Sequence, residues 1–258
     1  MANKIEKQFL DTENKGPVRL NKYLSEAGVC SRREADKLIA AGQVTVDGVR
    51  AETGMKVEPW QVVRIGKKQV SRQEEMIVLV VNKPRGIVCT EERRERDSIV
   101  RFLNYPVRIT YVGRLDKDSE GLLLMTNNGD IINRMMRAAN KHEKEYKVTV
   151  DKPVTDEFLK EMAGGVPILD TVTRPCQVEK LGKYKFKIIL TQGLNRQIRR
   201  MCEALGYEVK ELRRVRIMNI ELGNLKPGEY RKVTDQELNE LYELIRDSKS
   251  EPIPWNNN

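Results

Sequence analysis

One carboxylate stands out in this sequence because of the residues that surround it. Residues 113–121 read Gly-Arg-Leu-Asp-Lys-Asp-Ser-Glu-Gly, and an apolar run, Leu-Leu-Leu-Met, follows at once. Asp116 therefore lies on a glycine-bounded loop beside a predicted strand, where a rigid sheet can present one reactive side chain to a cleft. A carboxylate that acts alone needs a nearby cation, because burial without one favours its protonated form. Arg114 lies only two residues away on the same loop, and we expect the partner cation to be a more distant arginine.

A second segment contains arginines on a predicted helix. Residues 192–201 read Gln-Gly-Leu-Asn-Arg-Gln-Ile-Arg-Arg-Met, which predicts a helix near 195–205 with Asn195 as its N-cap. Arg196 and Arg199 are three residues apart and therefore neighbours, away from the apolar stripe that includes Ile198. A helix N-terminus beside arginines is a natural phosphate site, whereas a solvated basic helix face is the alternative.

Two further segments place polar side chains at the ends of predicted strands. Tyr146 lies in a strand over 144–151 that begins Lys-Glu-Tyr-Lys-Val. Its spacing alone favours a core tyrosine, but an aromatic ring in an active site can stack on an unpaired base. Residues 82–86, Asn-Lys-Pro-Arg-Gly, follow an apolar strand and predict a turn in which Lys83 and Arg85 add positive charge.

Composition limits the classes of function that this chain can have. Its 258 residues carry a net charge of +9, which favours a polyanionic partner such as nucleic acid. The four cysteines form no CxxC pair and His142 is the single histidine, so neither zinc-ligand spacing nor a Ser-His-Asp or Cys-His system is predicted. No apolar run approaches the roughly 20 residues that span a bilayer, and the polar N-terminus is unlike a secretory signal. We therefore expect a cytoplasmic protein with no membrane partner.

The first predicted domain covers residues 17–70, after a flexible tail at 1–16. Apolar residues at helical spacing, a Ser31–Glu34 capping box and the strand at 43–48 with its Asp-Gly turn predict two short helices and a hairpin completed near 62–65. This pattern resembles the S4 RNA-binding domain. The resemblance implies that basic side chains on the two helices bind the phosphate backbone, although a solvated basic face is the alternative. These residues are Arg19, Lys22, Arg32 and Arg33.

A polar linker at 71–76 precedes the second predicted domain, which runs over 77–246 and leaves 247–258 as a disordered tail. After the opening strand at 77–81, strands are predicted near 108–112, 121–126, 144–151, 184–191, 207–213 and 216–222. Helices are predicted near 97–104, 129–138, 155–163, 195–205 and 234–246. Antiparallel strands with interspersed helices indicate an α+β fold with a mixed, mainly antiparallel sheet.

The segments around Asp116, Tyr146 and Arg199, with the 82–86 turn, resemble the motifs of the RsuA/RluB/RluE/RluF group of pseudouridine synthases. The resemblance spans about residues 17–245. It implies that Asp116 is catalytic, that Arg199 pairs with it in direct contact, and that Tyr146 lies against the target uracil. It also implies that Ile198 packs near the base and that the 82–86 turn helps to shape the floor of the site. RNA contacts are then expected from Lys83, Arg114, Leu115, Lys117, Asn195, Arg196, Gln197 and Ile198.

The activity that this resemblance implies is the isomerisation of one uridine to pseudouridine in ribosomal RNA, without a metal or a cofactor. The uridine flips into the cleft, its C1′–N1 bond breaks and a C1′–C5 bond forms. Asp116 either attacks C1′ or removes the 2′ proton, and both routes stay open. Residues 192–194 and 216–219 are similar to members of the group that modify 23S ribosomal RNA, with 16S ribosomal RNA or transfer RNA as the alternative substrate, and a monomer is expected.

Two other classes of protein are alternatives to this interpretation. A non-catalytic, ribosome-associated S4 protein would lack the aspartate or its paired arginine, and both are present. A methyltransferase would need a cofactor site, and no GxGxxG-type loop follows a predicted strand and precedes a helix.

Overall fold

The computed structural model describes residues 16–71, 75–92, 94–136 and 141–248. The predicted flexible N-terminal tail lies almost entirely outside these residues, as do most of the disordered C-terminal tail and the centre of the predicted linker. The chain forms two compact units. The first is the described part of Met1–Ile77 with Tyr105–Ile109 and Asn127–Gly129, and the second is Val78–Asn104, Thr110–Thr126 and Asp130–Asn258 as far as described. In the described residues, no helix is both long and apolar enough to cross a membrane.

The first unit has the two helices and the hairpin that the sequence predicts. Its helices are α1 (Leu20–Glu26) and α2 (Arg32–Ala40), and its strands are β1 (Val18–Arg19), β2 (Val44–Val46), β3 (Val49–Arg50), β4 (Lys56–Val57), β5 (Val63–Ile65) and β6 (Lys68–Val70). The predicted capping box is formed: the Glu34 amide donates to Ser31 Oγ at 3.2 Å, and the Ser31 amide donates to the Glu34 carboxylate at 3.0 Å. This arrangement fixes where α2 begins, and therefore which of its residues face the core of the unit.

The second unit is built on one mixed sheet, as the sequence predicts. Its strands are β7 (Val78–Lys83), β8 (Thr110–Val112), β9 (Glu120–Thr126), β10 (Lys144–Val150), β13 (Gln177–Gly182), β14 (Lys185–Leu190), β15 (Val209–Ile217), β16 (Ile220–Glu221) and β17 (Tyr230–Lys232), with a separate hairpin of β11 (Pro167–Ile168) and β12 (Thr171–Val172). The sheet order is β13-β14-β10-β15-β9-β7-β17, with β8 on β9 and β16 on β15. Only the β15–β9 pair among these is parallel.

Helices of the second unit lie where the sequence predicts them, with bounds that are shortened or shifted by one or two residues. They are α3 (Ile99–Leu103), α4 (Gly129–Met136, whose first residue belongs to the first unit), α5 (Asp156–Gly164), α6 (Gln197–Ala204) and α7 (Asp235–Ile245). An apolar core that includes Phe158 of α5, Met201 of α6 and Phe186 of β14 lies against one face of the sheet. The apolar face of α6 thus packs in this core, and the packing holds the arginines of α6 close to the strands.

The predicted strands near 207–213 and 216–222 are wrong as drawn, because β15 runs without a break through Val209–Ile217. A β-bulge interrupts its pairing with β10 instead: Glu145 lies opposite Arg216, whereas Tyr146 lies opposite Arg214, so Val215 has no partner in this ladder. The predicted break falls at residues 214–215, inside the run Arg-Arg-Val-Arg. The bulge moves the side chains that follow it to the other face of the sheet without ending the strand.

Strands β9 and β15 approach unusually closely at one point. A Cβ placed on Gly121 would lie 2.2 Å from the carbonyl oxygen of Arg214, far inside van der Waals contact, and Gly121 also has a φ of +102°. Only glycine tolerates both conditions. Gly121 closes the Asp116 loop, so the end of this loop is fixed against the middle of β15.

Replacing Gly121 by alanine should therefore destabilise the second unit strongly. We expect a loss of about 3 kcal/mol in the free energy of unfolding, because β9 and β15 must separate or the backbone must strain. Gly206→Ala is the matched control: Gly206 also has a positive φ, +78°, but its Cβ would meet no atom within 4 Å. That control should cost about 1 kcal/mol, the price of the left-handed conformation alone. Urea unfolding followed by circular dichroism would measure both, and equal losses would contradict the close approach.

Candidate active site

The floor of the site is formed by two neighbouring strands of the sheet. Tyr146 of β10 lies directly opposite Arg214 of β15, and Lys144 lies two residues before Tyr146 on the same face of β10. The bulge at Val215 puts Arg216 on the other face, where its guanidinium binds the carboxylates of Glu145 and Glu143, each at 3.0 Å. Arg214 and Arg216 of β15 therefore have different surroundings: Arg216 is paired with acids and Arg214 faces the site.

The loop that carries Asp116 is fixed by backbone hydrogen bonds. Within the loop, the Ser119 amide donates to the carbonyl of Asp116 at 3.1 Å, and from outside it the Gly86 amide donates to the carbonyl of Lys117 at 2.8 Å. The amide of Leu115 donates to Cys89 Sγ at 3.5 Å. Asp116 itself is half-buried at the edge of a cavity. A short loop held at several points positions one carboxylate without using that carboxylate's own oxygens.

The 82–86 turn acts on this loop through Lys83, and not by binding RNA. Lys83 is 0% exposed, and its ammonium donates to the carbonyls of Pro84 at 2.9 Å and Ile87 at 2.7 Å. Burial lowers its pKa, while the negative charges of Asp116 and other acids raise it. The RNA contact expected of Lys83 is therefore wrong, because a fully buried ammonium committed to its own turn cannot reach a phosphate. It shapes the turn whose Gly86 holds the Asp116 loop.

Helix α6 begins two residues later than the sequence predicts. Arg196, in a left-handed conformation with φ of 49°, occupies the N-cap position and the helix starts at Gln197. Asn195 is therefore not the N-cap. Its side-chain oxygen instead accepts a hydrogen bond from the guanidinium of Arg200 at 3.2 Å. The Gln197 side-chain oxygen accepts from the Leu194 amide at 3.1 Å and closes the turn that leads into the helix.

The direct contact expected between Asp116 and Arg199 is not formed. Arg199 donates to the carbonyl oxygen of Asp118 at 3.1 Å and to that of Val209 at 3.3 Å. In the described residues, no ion pair within 4.0 Å joins Asp116 to Arg199. Burial lowers the pKa of Arg199, and the charges of Asp118 and Asp116 oppose that shift. Arg199 therefore braces the loop through its backbone two residues beyond Asp116, and its charge acts on Asp116 from a distance.

A cavity of about 360 Å³ brings most of the predicted site residues together. Asp116 and Tyr146 both line it, as do residues from the loop before α6 and from α6 itself. Among the predicted RNA contacts, its wall includes Arg114, Leu115, Asn195, Arg196, Gln197 and Ile198. Lys117 and Arg199 lie outside this wall. The basic residues Arg19, Lys22, Arg32 and Arg33 belong to the other unit.

Two cations that the sequence analysis did not assign also line this cavity, Lys144 and Arg214. Burial lowers the pKa of Lys144 to about 8, and the positive charge of Arg214 adds to the shift. The predicted break between two strands at 214–215 hid Arg214, because it placed this residue in a turn. The sequence does contain a signal for Arg214, because Leu212 and Arg214 alternate on the buried face of one continuous strand. Neither cation forms an ion pair with an acid within the described residues.

His142 and the cysteines take no part that resembles a nucleophile system. His142 is buried, its Nε2 lies 3.1 Å from the carbonyl oxygen of Arg134 and 3.1 Å from Ser248 Oγ, and burial lowers its pKa. Cys30, Cys89, Cys176 and Cys202 are free thiols. Over the described residues, no cluster of three or more His, Cys, Asp or Glu side chains could hold a metal ion.

Comparison with known proteins gives the same division of the chain and names its family. Residues 77–204 match the RNA pseudouridylate synthase family, and residues 18–73 match the S4 domain. The dual-specificity RNA pseudouridine synthase RluF of Escherichia coli (strain K12) is 54% identical over 239 residues, which cover 92% of this chain and 82% of that protein. An uncharacterized RNA pseudouridine synthase of Mycobacterium tuberculosis is 36% identical over 242 residues, 88% of this chain and 94% of its own length.

A solved structure supports the fold. A crystal structure of a pseudouridylate synthase is 30% identical, has a TM-score of 0.64, and is matched over 87% of this chain and 99% of its own. The resemblance of residues 192–194 and 216–219 to RluF agrees with the 54% identity. The chain therefore belongs to the RsuA-like RNA pseudouridine synthases, enzymes of the isomerase class, and carries an S4 domain ahead of its synthase domain.

Proposed function

We propose that this synthase isomerises one uridine of 23S ribosomal RNA and that Asp116 is its catalytic group. The observation that carries the proposal is the placement of Asp116. It is half-buried at the wall of a cavity that also contains Tyr146, and backbone bonds fix its loop from both sides. A cavity of about 360 Å³ falls within the range of sites that enclose a small molecule, and a flipped nucleoside is a ligand of that kind.

The chemistry needs a reactive carboxylate and a platform for the base. In the proposed mechanism the target uridine leaves its stack and its uracil packs on Tyr146. Asp116 then either attacks C1′ or removes the 2′ proton, and the C1′–N1 bond breaks with its electron pair on uracil. The base turns and C5 bonds to C1′, which releases Asp116 from C1′ in the first route, whereas in the second route Asp116 returns the proton to C2′. The proton on C5 is then lost while N1 gains one. Substrate and product have the same atoms, so the reaction consumes no oxidant and no second substrate.

The RluF relatives are named dual-specificity RNA pseudouridine synthases. On that ground we propose that this chain accepts a second RNA class, transfer RNA, besides 23S ribosomal RNA. The first unit would bind these RNAs through Arg19, Lys22, Arg32 and Arg33, of which Arg32 and Arg33 are exposed at the start of α2. Phosphate contacts of this kind carry no base sequence, so they are compatible with two RNA substrates.

Asp116→Asn should abolish pseudouridine formation while RNA binding survives. We expect the single-turnover rate on a 23S transcript to fall by at least about 10⁴-fold, because the amide can neither attack C1′ nor accept the 2′ proton. Asp118→Asn is the matched control, since it is an exposed carboxylate on the same loop whose backbone alone contacts Arg199. That control should change the rate by about threefold or less.

Mapping pseudouridine after incubation with 23S, 16S and transfer RNA transcripts would test the substrate as well. A normal rate for Asp116→Asn would overturn the catalytic assignment. Product on 16S RNA alone would overturn the 23S assignment but leave Asp116 in place.

Removing Arg32 and Arg33 together should weaken RNA binding and reduce its dependence on salt. We expect affinity to fall about tenfold and the slope of log affinity against log salt to shrink by about 1.4, the value for two lost phosphate contacts on single strands. Lys67→Ala with Lys68→Ala is the matched control, because these lysines are equally exposed and lie in the same unit. An equal loss from both double variants would mean that net charge, and not this helix, binds the RNA.

A further inference from the structure

Arg214 is buried at the centre of the sheet, directly beneath the cavity. It is 2% exposed, and it lies between Tyr146 of β10 on one side and Gly121 of β9 on the other. Arginine is rarely this buried in a folded protein unless its charge is paired with an acidic group or a bound ligand. Both of these neighbours of Arg214 belong to the proposed site: Tyr146 is the proposed base platform, and Gly121 ends the loop of Asp116.

Two nitrogens of the Arg214 guanidinium differ in their surroundings: Nε has a hydrogen-bond partner, and Nη2 has none among the described residues. Its Nε donates to the carbonyl of Leu122 at 2.7 Å, which sets the plane of the group against β9. Its Nη2 is buried and has no hydrogen-bond partner among the residues that the structure describes. Leu122 follows Gly121 directly, so the close approach of β9 and β15 is what brings this carbonyl within reach. One nitrogen of Arg214 thus holds the guanidinium in place while another has no partner among the described residues, and Arg214 lines the cavity.

The surroundings of Arg214 make the unpaired donor costly. Lys144 lines the same cavity, and the positive charge of Arg214 contributes to the lowered pKa of this lysine. No acid forms an ion pair with Arg214 in the described part of the chain, and Asp116 stays beyond 4.0 Å of it although both line the cavity. A buried donor and two like charges without a counterion favour a ligand that brings an oxygen acceptor and negative charge.

We propose that the guanidinium of Arg214 donates a hydrogen bond to a carbonyl oxygen of the flipped uracil and stabilises the negative charge on that oxygen after the C1′–N1 bond breaks. When this bond breaks, its electron pair stays on the uracil ring and spreads over N1 and the two carbonyl oxygens. A fixed donor aimed at developing charge in a site away from water lowers the barrier to that step. The proposal rests on the placement of uracil against Tyr146 given above.

The register of the strands favours the base over a phosphate as the ligand. Tyr146 and Arg214 are directly opposite each other on adjacent strands, where side chains lie about 5 Å apart, so a ring packed on Tyr146 lies beside the guanidinium. The exposed cations of the cavity wall are Arg114 and Arg196, which suit the phosphates that remain outside with the RNA backbone.

Leaving-group chemistry distinguishes this role from a purely structural one. Fluorine at C5 of uracil makes its anion more stable, so an enzyme that has lost a donor to that anion should lose less rate on a 5-fluorouridine target. We expect Arg214→Gln to lower the single-turnover rate of bond cleavage about 10²- to 10³-fold on uridine, as loss of one such donor does in other enzymes. On 5-fluorouridine the loss should be at least tenfold smaller, and RNA affinity should stay within about threefold on both.

Two further variants complete the experiment. Arg213→Gln removes the same charge from the neighbouring residue of β15, which does not line the cavity, and its rate should match the wild type. Arg214→Lys keeps a charge at the site and replaces the glutamine variant if that one does not fold; it should lose rate on uridine and recover it on 5-fluorouridine. An equal loss on both bases, or a folded Arg214 variant with the wild-type rate on uridine, would overturn the proposal. Wild-type protein that makes no pseudouridine would instead overturn the proposed function.

Discussion

The close approach of β9 and β15 at Gly121 is the constraint on which the rest of the site depends. It places the end of the Asp116 loop against the backbone of Arg214, with no room for a side chain between them. The same approach brings the carbonyl of Leu122 to Arg214 Nε. A parallel pair in an otherwise antiparallel sheet is thus the place where a loop from one strand meets a charged side chain from another. Separation of these two strands by the width of one methyl group would move both halves of the site.

Asp116 is held by its loop's backbone and not by a partner for its carboxylate. Lys83 orders the 82–86 turn, Gly86 of that turn donates to Lys117, and Arg199 donates to the carbonyl of Asp118. Together with the bond from the Leu115 amide to Cys89 Sγ, these bonds fix the loop on both sides of Asp116 and leave its oxygens open to the cavity. A carboxylate that must reach a sugar carbon or a 2′ proton gains from this arrangement, because a tight bidentate ion pair would occupy the atoms that react. The sheet and the helix therefore fix where the carboxylate lies, and the surrounding cations act on it through space.

Local patterns in the sequence were reliable guides to the fold, and pairing between strands was not visible in them. The Ser31–Glu34 capping box and the apolar run after Gly121 are short-range signals, and both appear as expected. By contrast, β13 was not predicted, because five of its six residues are exposed at the sheet edge and have no apolar alternation. The continuous β15 was split for a related reason: a bulge reverses the side on which residues lie, and only the partner strand reveals it.

The same reasoning explains which parts of the site could be found from sequence. Asp116 and Tyr146 stand in contiguous motifs, and the cavity brings both together. The contact between Asp116 and Arg199 could not be judged from sequence, because it depends on which acceptors lie nearest the guanidinium in the fold. Those acceptors are the backbone carbonyls of Asp118 and Val209.

The bulge at Val215 decides the charge of the cavity. Without it, strict alternation along β15 would place Arg214 and Arg216 on one face, and both guanidinium groups would crowd the floor beside Lys144. With it, Arg216 turns to Glu143 and Glu145 on the far side, where its charge is neutralised. In the described part of the chain, Arg214 then remains without an acidic partner beside Tyr146, the proposed base platform, and Leu122 holds it in a single orientation. An irregularity of one residue therefore converts a basic strand into a structural ion-pair cluster on one face and a single oriented donor on the other.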